Sequence, residues 1–351
     1  MSRPVSRLAP AAVITAALAL IISILTVPSG WASTGAHDGD PDFAPIDRPG
    51  PALSVPDSKL SKSLHCTANT GRSKANVVLL VHGTTSTPGE NFEWNWYRAL
   101  DQLDRPYCSV TLPNRAMSDA QVSAEYVVNA VRHIHESTNR EVDILGHSQG
   151  GLVPRFAIRF WPDIRPMIDD YVGFGATNHG SIMVNALCPP IVGCAPALWQ
   201  QTADSNFTKA TNSGAETFAG ISYTNIYTHT DEFVQPALND SGTSSLHGGN
   251  GRITNVAIQD VCPTSLASEH IAIGTYDPVA YALAMDALDH DGPAKPKRVP
   301  SSTCAKPFMP GVDAARFPTE YVNTMTGIAG TLVLKARTAQ EPELRSYVFA
   351  D

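Results

Sequence analysis

The sequence predicts an α/β fold in which helices cover both faces of a mostly parallel central sheet. Two patterns carry this prediction. Short apolar runs rich in β-branched residues, which suit strands buried on both faces, recur along the chain. Stretches with one apolar face or clear helix-capping residues lie between these runs, and such alternation is typical of parallel sheets.

Five runs are predicted as strands, at residues 76–81, 141–145, 171–175, 221–227 and 252–258. Three helices are predicted between or after them, from Ser118 to near Ser137, from about residue 150 to Trp161, and from Asp277 to about Leu288. The first begins with a capping-box pattern, Ser118 to Gln121. The third begins with Asp277 as N-cap and Pro278 in the first turn.

The N-terminal segment has the pattern of a secretory signal peptide. Arg3 and Arg7 precede an apolar stretch from Ala11 to Val27, and the small residues around Ala32 offer a cleavage site. We therefore predict a signal peptide over residues 1–32 and a secreted, extracellular protein. A retained membrane anchor is the alternative, because the apolar stretch is near the lower length limit of a spanning helix.

The next segment, residues 33–60, is rich in Pro, Asp and Gly and is predicted to be a flexible leader. Such a composition buries too little apolar surface to offset the entropy lost on ordering. Residues 61–351 are then expected to form one domain, a normal size for an α/β fold. The formal net charge of -8 argues against nucleic acid as a partner and suits an extracellular protein.

The chain has six cysteines, at positions Cys66, Cys108, Cys188, Cys194, Cys262 and Cys304. An even number behind a signal peptide predicts disulfide bonds, although six cysteines allow 15 pairings by sequence alone. No C-x-x-C pattern and no nearby His pair has the spacing of a zinc site. The sequence therefore predicts no metal site and no cofactor.

The segment Gly146-His-Ser-Gln-Gly150 matches the pattern G-x-S-x-G. A predicted strand leads into it and an amphipathic helix leads out, which is the context that the nucleophile elbow of an α/β-hydrolase fold requires. The glycines are expected because a side chain at either position would clash in so tight a turn. Ser148 is the predicted nucleophile at the carboxyl edge of the sheet; an ordinary strand-to-helix turn is the alternative.

A serine hydroxyl needs a base to take its proton, and in this fold the chain order is Ser, then Asp or Glu, then His. Asp231 is the predicted acid, because it follows the strand at residues 221–227. Glu232 is its nearest rival, although it would point the other way on an extended segment. Asp260 follows the next strand and is a second rival.

His270 is the predicted base, because it lies between the last strand and the last core helix, where this fold places its histidine. His179 and His229 precede Asp231 and fail on chain order, and His247 lies in a glycine-rich turn. A loop histidine with a structural role is the alternative at His270.

Two donors are expected to bind the developing oxyanion. One is the backbone N–H of Gln149, the residue after the nucleophile. The other is Thr84, in the loop after the first predicted strand, through its N–H and its hydroxyl. Hydrogen bonds within the turn are the alternative role of this threonine.

Several segments resemble the family of Candida antarctica lipase B and its bacterial relatives. They are Gly83-Thr-Thr85, Asn91-Phe92, Ser118 to Ala130, Ser148 to Leu152, Pro196 to Gln201 and Thr230 to Pro236. The resemblance runs from about Leu64 to Cys304. It implies Ser148, Asp231 and His270 as a catalytic triad, with Thr84 and Gln149 as oxyanion donors.

The resemblance also implies two disulfide bonds, Cys66–Cys108 and Cys262–Cys304. Cys188 and Cys194 would then pair and close a short loop at the rim of the pocket. The chain departs from the family at His82, where the family has proline, and at Asn178, which replaces an acidic residue. These departures are expected to affect specificity more than the chemistry.

The predicted function is hydrolysis of hydrophobic carboxylic esters through an acyl-enzyme, because the pocket region is rich in Ala, Leu, Ile and Val. A transient contact with a lipid interface is expected, and the sequence does not indicate an oligomeric state. An acyltransferase or a polyester hydrolase with the same residues is one alternative. A catalytically silent binding protein of the same fold is another.

Overall fold

The central sheet has seven strands among the residues described by the computed structural model, which are 42–350 without Pro190 and Lys335. The strands are β1 Leu64–Cys66, β2 Val77–Val81, β3 Tyr107–Val110, β4 Val142–His147, β5 Ile168–Phe174, β6 Ser222–Tyr227 and β7 Arg252–Ala257. Their order is β1-β3-β2-β4-β5-β6-β7. Only the pair β1–β3 is antiparallel, so the predicted mostly parallel sheet is confirmed.

Eleven helices are numbered here in the described part of the chain. They are α1 Asp57–Ser63, α2 Trp96–Gln102, α3 Ala120–Thr138, α4 Gln149–Phe160, α5 Ile182–Leu187, α6 Pro196–Trp199, α7 Asn206–Asn212, α8 Ile258–Val261, α9 His270–Thr275, α10 Pro278–Leu288 and α11 Phe317–Leu334. The single turn Pro113–Ala116 is not numbered, because Asn114 and Arg115 have left-handed dihedral angles.

The core lies in two layers, one on each face of the sheet. On one face, α3 and α4 pack against the side chains of Val77, Leu79 and Val81. On the other face, α2 and α10 pack against Val78 and Leu80. Successive side chains of a strand point to opposite faces, so an uninterrupted apolar run such as β2 is suited to a sheet that helices cover on both sides.

The helix starts follow the capping residues. The side chain of Asp119, rather than that of Ser118, accepts a hydrogen bond from the N–H of Gln121 and caps α3. Asp277 caps α10 as predicted, by accepting hydrogen bonds from the N–H groups of Val279 and Ala280. In both helices an aspartate carboxylate accepts hydrogen bonds from backbone N–H groups of the first turn. These groups have no acceptor within the helix.

The structure differs from the predicted flexible leader over residues 42–60. The chain from Asp42 onward forms one compact unit, so the domain begins before residue 61. Ala44 and Leu60 are buried, and the N–H of Val55 donates to the buried carboxylate of Glu125 at 2.8 Å. Hydrogen bonds and scattered apolar contacts order a segment that has no apolar periodicity of its own. The predicted signal peptide lies outside the described residues.

Three disulfide bonds join Cys66 to Cys108, Cys188 to Cys194, and Cys262 to Cys304. This is the pairing that the resemblance implied. The first bond links β1 to β3 at the edge of the sheet. Within the described residues, no helix has both the length and the apolar character needed to cross a membrane.

Candidate active site

Ser148 lies in a sharp turn between β4 and α4, with φ 59° and ψ −125°. Its N–H donates to the carbonyl of Phe174, at the end of β5, at 2.8 Å. A Cβ atom at Gly150 would lie 2.1 Å from the carbonyl oxygen of Val81, and one at Gly146 would lie 2.1 Å from the carbonyl oxygen of Gly150. Both glycines are therefore required, one by the neighbouring strand and one by the turn itself.

His270 and Asp231 form a buried pair. Nδ1 of His270 lies 2.8 Å from Oδ2 of Asp231, and the two side chains are 5% and 1% exposed. The other carboxylate oxygen of Asp231 accepts hydrogen bonds from the N–H groups of Phe233 and Val234 at 2.9 and 2.7 Å. These three contacts fix the orientation of the carboxylate. The second ring nitrogen of His270, Nε2, does not contact Asp231.

The rival acids have other partners. Glu232 accepts a hydrogen bond from the backbone N–H of His270 at 3.0 Å, so it contacts the main chain rather than the imidazole. Asp260 accepts from the N–H of Ala257 at the start of α8. Of the three acids considered, the structure brings Asp231 to the imidazole.

The rival histidines lie elsewhere. Nε2 of His179 is 2.9 Å from the carboxylate of Glu216, and His247 contacts the carbonyl of Asp240 in an exposed turn. His229 stacks at an angle beside Tyr227 at the end of β6.

Ser148 and His270 line the same cavity, which opens at the carboxyl edge of the sheet. Thr84 and Gln201 add polar groups to its wall. Most of the remaining wall is apolar and comes from α5, α6, α9 and α11 with the segment after Asp231. It includes Val184, Leu187, Leu198, Val234, Ile271 and Ile328.

Thr84 is held in place by Gln201, a residue to which sequence reasoning gave no role. Nε2 of Gln201 donates to Oγ1 of Thr84 at 3.1 Å and to the carbonyl of Ala197 at 2.8 Å. The hydroxyl of Thr84 also lies 3.3 Å from Oε1 of Gln149. The N–H of Gln149 is the first of α4 and has no acceptor within the helix.

His147 links His270, at the start of α9, to the loop after β2 that contains Thr84, and sequence reasoning also missed this role. Its Nε2 lies 3.0 Å from the carbonyl oxygen of His270, and its Nδ1 lies 3.2 Å from Oδ1 of Asn91. The same oxygen of Asn91 accepts the N–H of Gly83, next to Thr84. Burial, together with the nearby His270, lowers the pKa of His147 to about 3, so the ring is uncharged. A Gly-x-Ser turn gives no signal for these long-range contacts.

The charges around His270 favour its protonated form. Burial alone lowers the pKa of this imidazole, but the charge and hydrogen bond of Asp231, with the charges of Glu232 and Glu269, raise it overall to about 9. Burial in turn raises the pKa of Glu269 to about 6. The site therefore stabilises the imidazolium that forms when a histidine takes a proton from serine.

The sheet order, the strained turn at Ser148 and the buried Asp–His pair together define an α/β-hydrolase. The chain belongs to the class 2 lipase family, whose profile matches residues 76–261. The predicted resemblance to the lipase B family is thereby confirmed.

Two relatives show how far the likeness extends. The chain is 34% identical to lipase B of Pseudozyma antarctica over 221 residues, which is 63% of this chain. The match spans 64% of that relative, somewhat less than two thirds of its length. The crystal structure of Aspergillus fumigatus lipase B is similar with a TM-score of 0.78 and 28% identity, covering 90% of this chain and 77% of that one.

Proposed function

We propose that this protein is a secreted serine carboxylic-ester hydrolase, a lipase or esterase, that acts on hydrophobic esters through an acyl-enzyme on Ser148. The observation that carries the proposal is the buried His270–Asp231 pair, placed with Ser148 in a cavity whose wall is mainly apolar. Membership of the class 2 lipase family supports the same reaction.

In the first half of the reaction, Oγ of Ser148 attacks the carbonyl carbon of the ester while Nε2 of His270 takes the hydroxyl proton. Asp231 holds the ring through Nδ1 and stabilises the imidazolium. The tetrahedral intermediate then collapses. The bond to the alkoxy oxygen breaks, His270 returns its proton to that oxygen, and the alcohol leaves with Ser148 acylated.

In the second half, a water molecule attacks the acyl-enzyme. His270 takes a proton from the water, the carboxylic acid leaves, and the proton returns to Oγ of Ser148. In both halves the oxyanion accepts hydrogen bonds from the N–H groups of Thr84 and Gln149 and from the hydroxyl of Thr84. Gln201 serves as a positioning residue, because it fixes that hydroxyl.

The predicted contact with a lipid interface belongs to this proposal. Ile191 is 99% exposed and Val192 is 58% exposed, in the loop closed by the Cys188–Cys194 disulfide. This loop directly follows Leu187, which lines the cavity. Exposed apolar side chains beside a binding cavity are typical of a surface that contacts other molecules. Three disulfides within the domain suit an oxidising, extracellular setting and support secretion.

The test compares hydrolysis of p-nitrophenyl esters of increasing chain length by the wild type and by Ser148→Ala. We expect kcat to fall by about 10⁶-fold in the variant, because the nucleophile and its base act as one unit. Ser241→Ala, an exposed loop position, is the control and should keep full activity. Comparable activity in Ser148→Ala would remove this serine from the mechanism. A folded but inactive wild type would favour the silent binding protein.

A further inference from the structure

Three aspartates meet at the end of the sheet opposite the active site. Asp143 is near the amino end of β4, and Asp169 and Asp170 are near the amino end of β5. One carboxylate oxygen of each lies within 4.8 Å of the others. Asp143 and Asp170 are buried, with 1% and 3% of their surfaces exposed.

An irregularity in the pairing of the two strands brings these side chains together. Val142 pairs with Ile168 and Ile144 pairs with Tyr171, so Asp143 alone faces two consecutive residues of β5. In a regular strand, consecutive side chains point to opposite faces. An extra residue in one strand bends it locally and changes the direction of a side chain, so both aspartates of β5 approach Asp143.

The partners of the cluster are incomplete. Nδ2 of Asn76 donates to Asp143 and Asp169 at 3.1 and 3.0 Å, and Arg105 donates to Asp143 at 3.1 Å. Oδ1 of Asp170 is buried and has no hydrogen-bond partner among the described residues. A buried carboxylate oxygen without a partner is costly, and a cation bound beside it would offset that cost.

The nearby cations do not neutralise the cluster. Arg105 also binds Asp289 at 2.6 Å. Arg252, the other guanidinium whose charge acts on Asp170, binds Asp291 at 2.7 Å and the hydroxyl of Ser222 at 2.8 Å. Both arginines are thus shared with further carboxylates, and burial together with the charges of Asp143 and Asp169 raises the pKa of Asp170 to about 9.

We propose that Asp143, Asp169 and Asp170 bind a calcium ion, with the amide oxygen of Asn76 as a further ligand. An all-oxygen set of this kind suits a hard divalent cation. With Ca–O distances of 2.3–2.6 Å, oxygens on opposite sides of the ion are ~4.6–5.2 Å apart, against ~4.0–4.2 Å for magnesium. Half a turn of the Asn76 amide places its oxygen where its nitrogen now contacts Asp143 and Asp169.

The ion would join β4, β5 and the residue that precedes β2. It lies at the amino ends of the strands, whereas Ser148 follows the carboxyl end of β4. Calcium should therefore change the stability of the fold and leave the turnover of a soluble ester unchanged. The expectation that the chain binds no metal rested on cysteine and histidine spacing, which does not address a carboxylate site.

The test uses the full chain, treated with EDTA and dialysed, and titrates it with calcium chloride in a calorimeter. Calcium up to about 10 mM covers the Kd of roughly 0.1–1 mM that extracellular calcium modules show. We expect heat from a single site and a rise in Tm of several degrees, with a smaller rise for magnesium chloride. Absence of both the heat and the Tm shift would overturn the proposal.

Asp170→Asn should abolish the calcium-dependent rise in Tm, because it replaces a ligand carboxylate, one oxygen of which is buried without a partner, by a neutral amide. Glu136→Gln, at an exposed position of α3, changes the net charge equally and should keep the full rise. If Asp170→Asn does not fold, Asp169→Asn, which is only half-buried, should weaken calcium binding by at least about tenfold. A variant of either aspartate with wild-type affinity would contradict the site.

Discussion

The negative charges of Asp231, Glu232 and Glu269, which act on His270, determine the pH at which the proposed base works. His270 takes a proton only in its neutral form, and the neighbouring charges raise its pKa to about 9. We therefore expect kcat/KM to increase as the pH rises toward and through that pKa. Protonated His270 at lower pH holds the enzyme in a form that cannot activate Ser148.

Glu269→Gln tests this account of the charge. Removing one negative charge destabilises the imidazolium, so the pKa of His270 should fall and the rising limb of kcat/KM should move to lower pH. The measurement is a pH profile of ester hydrolysis for both proteins. Glu136→Gln should leave the profile in place, and a shift of the Glu269→Gln profile to higher pH would contradict the assignment.

Gly150 is a second residue for which the structure gives a specific prediction, a loss of stability on substitution. A methyl group at this position would lie 2.1 Å from the carbonyl oxygen of Val81, which belongs to the neighbouring strand and cannot move freely. Gly150→Ala should lower the free energy of unfolding by at least about 2 kcal/mol. Gly71→Ala is the control, because nothing lies within 4 Å of a Cβ there. Equal urea midpoints for the two variants would refute the close approach.

At the scale of elements, the loop closed by Cys188 and Cys194 should matter for substrates at an interface. Ile191→Ser removes the most exposed apolar side chain of this loop. We expect a reduced rate on an emulsified triglyceride and an unchanged rate on a soluble short-chain ester, because Ile191 does not line the cavity. Leu103→Ser, an exposed leucine after α2, is the control. Equal losses on both substrates would count against an interfacial role.

The elements that the sequence predicted well are those with a strong local signal. β2 is a buried apolar run, and α10 has its cap and first-turn proline, so both follow from local physics. β1 has only three residues, and β3 contains Cys108 and Ser109 in place of an apolar run, so neither was predicted. α11 was also missed: it contains Gly327 and several threonines, which weaken the local signal for a helix, although Ile328 and its neighbours line the cavity.

The same distinction holds within the candidate site. Ser148 was predicted from the turn, and Asp231 and His270 from chain order, because the fold constrains both. Gln201 and His147 act through contacts with residues more than a hundred positions away, which no local pattern encodes. The aspartate cluster depends on an irregular strand pairing and was invisible for the same reason.

At the scale of the whole molecule, Glu125 joins the two ends of the described chain. Its buried carboxylate accepts hydrogen bonds from Ser54 and Val55 and pairs with Arg345 at 2.9 Å. Glu125→Gln should lower the free energy of unfolding by about 1–2 kcal/mol, because the hydrogen bonds that the charged carboxylate accepts from Ser54, Val55 and Arg345 are weakened or lost. Urea unfolding beside the exposed Glu136→Gln control measures the difference. Equal stability would show that the two ends are held by other contacts.

The central claim is that His270 and Asp231 activate Ser148 as a nucleophile. Reaction with a fluorophosphonate, followed by peptide mass spectrometry, tests it most directly. We expect one phosphonyl group per molecule, on Ser148, with loss of ester hydrolysis in proportion to labelling, and almost no labelling in His270→Ala. Labelling of another residue with loss of activity, or equal labelling of Ser148 in His270→Ala, would contradict the account.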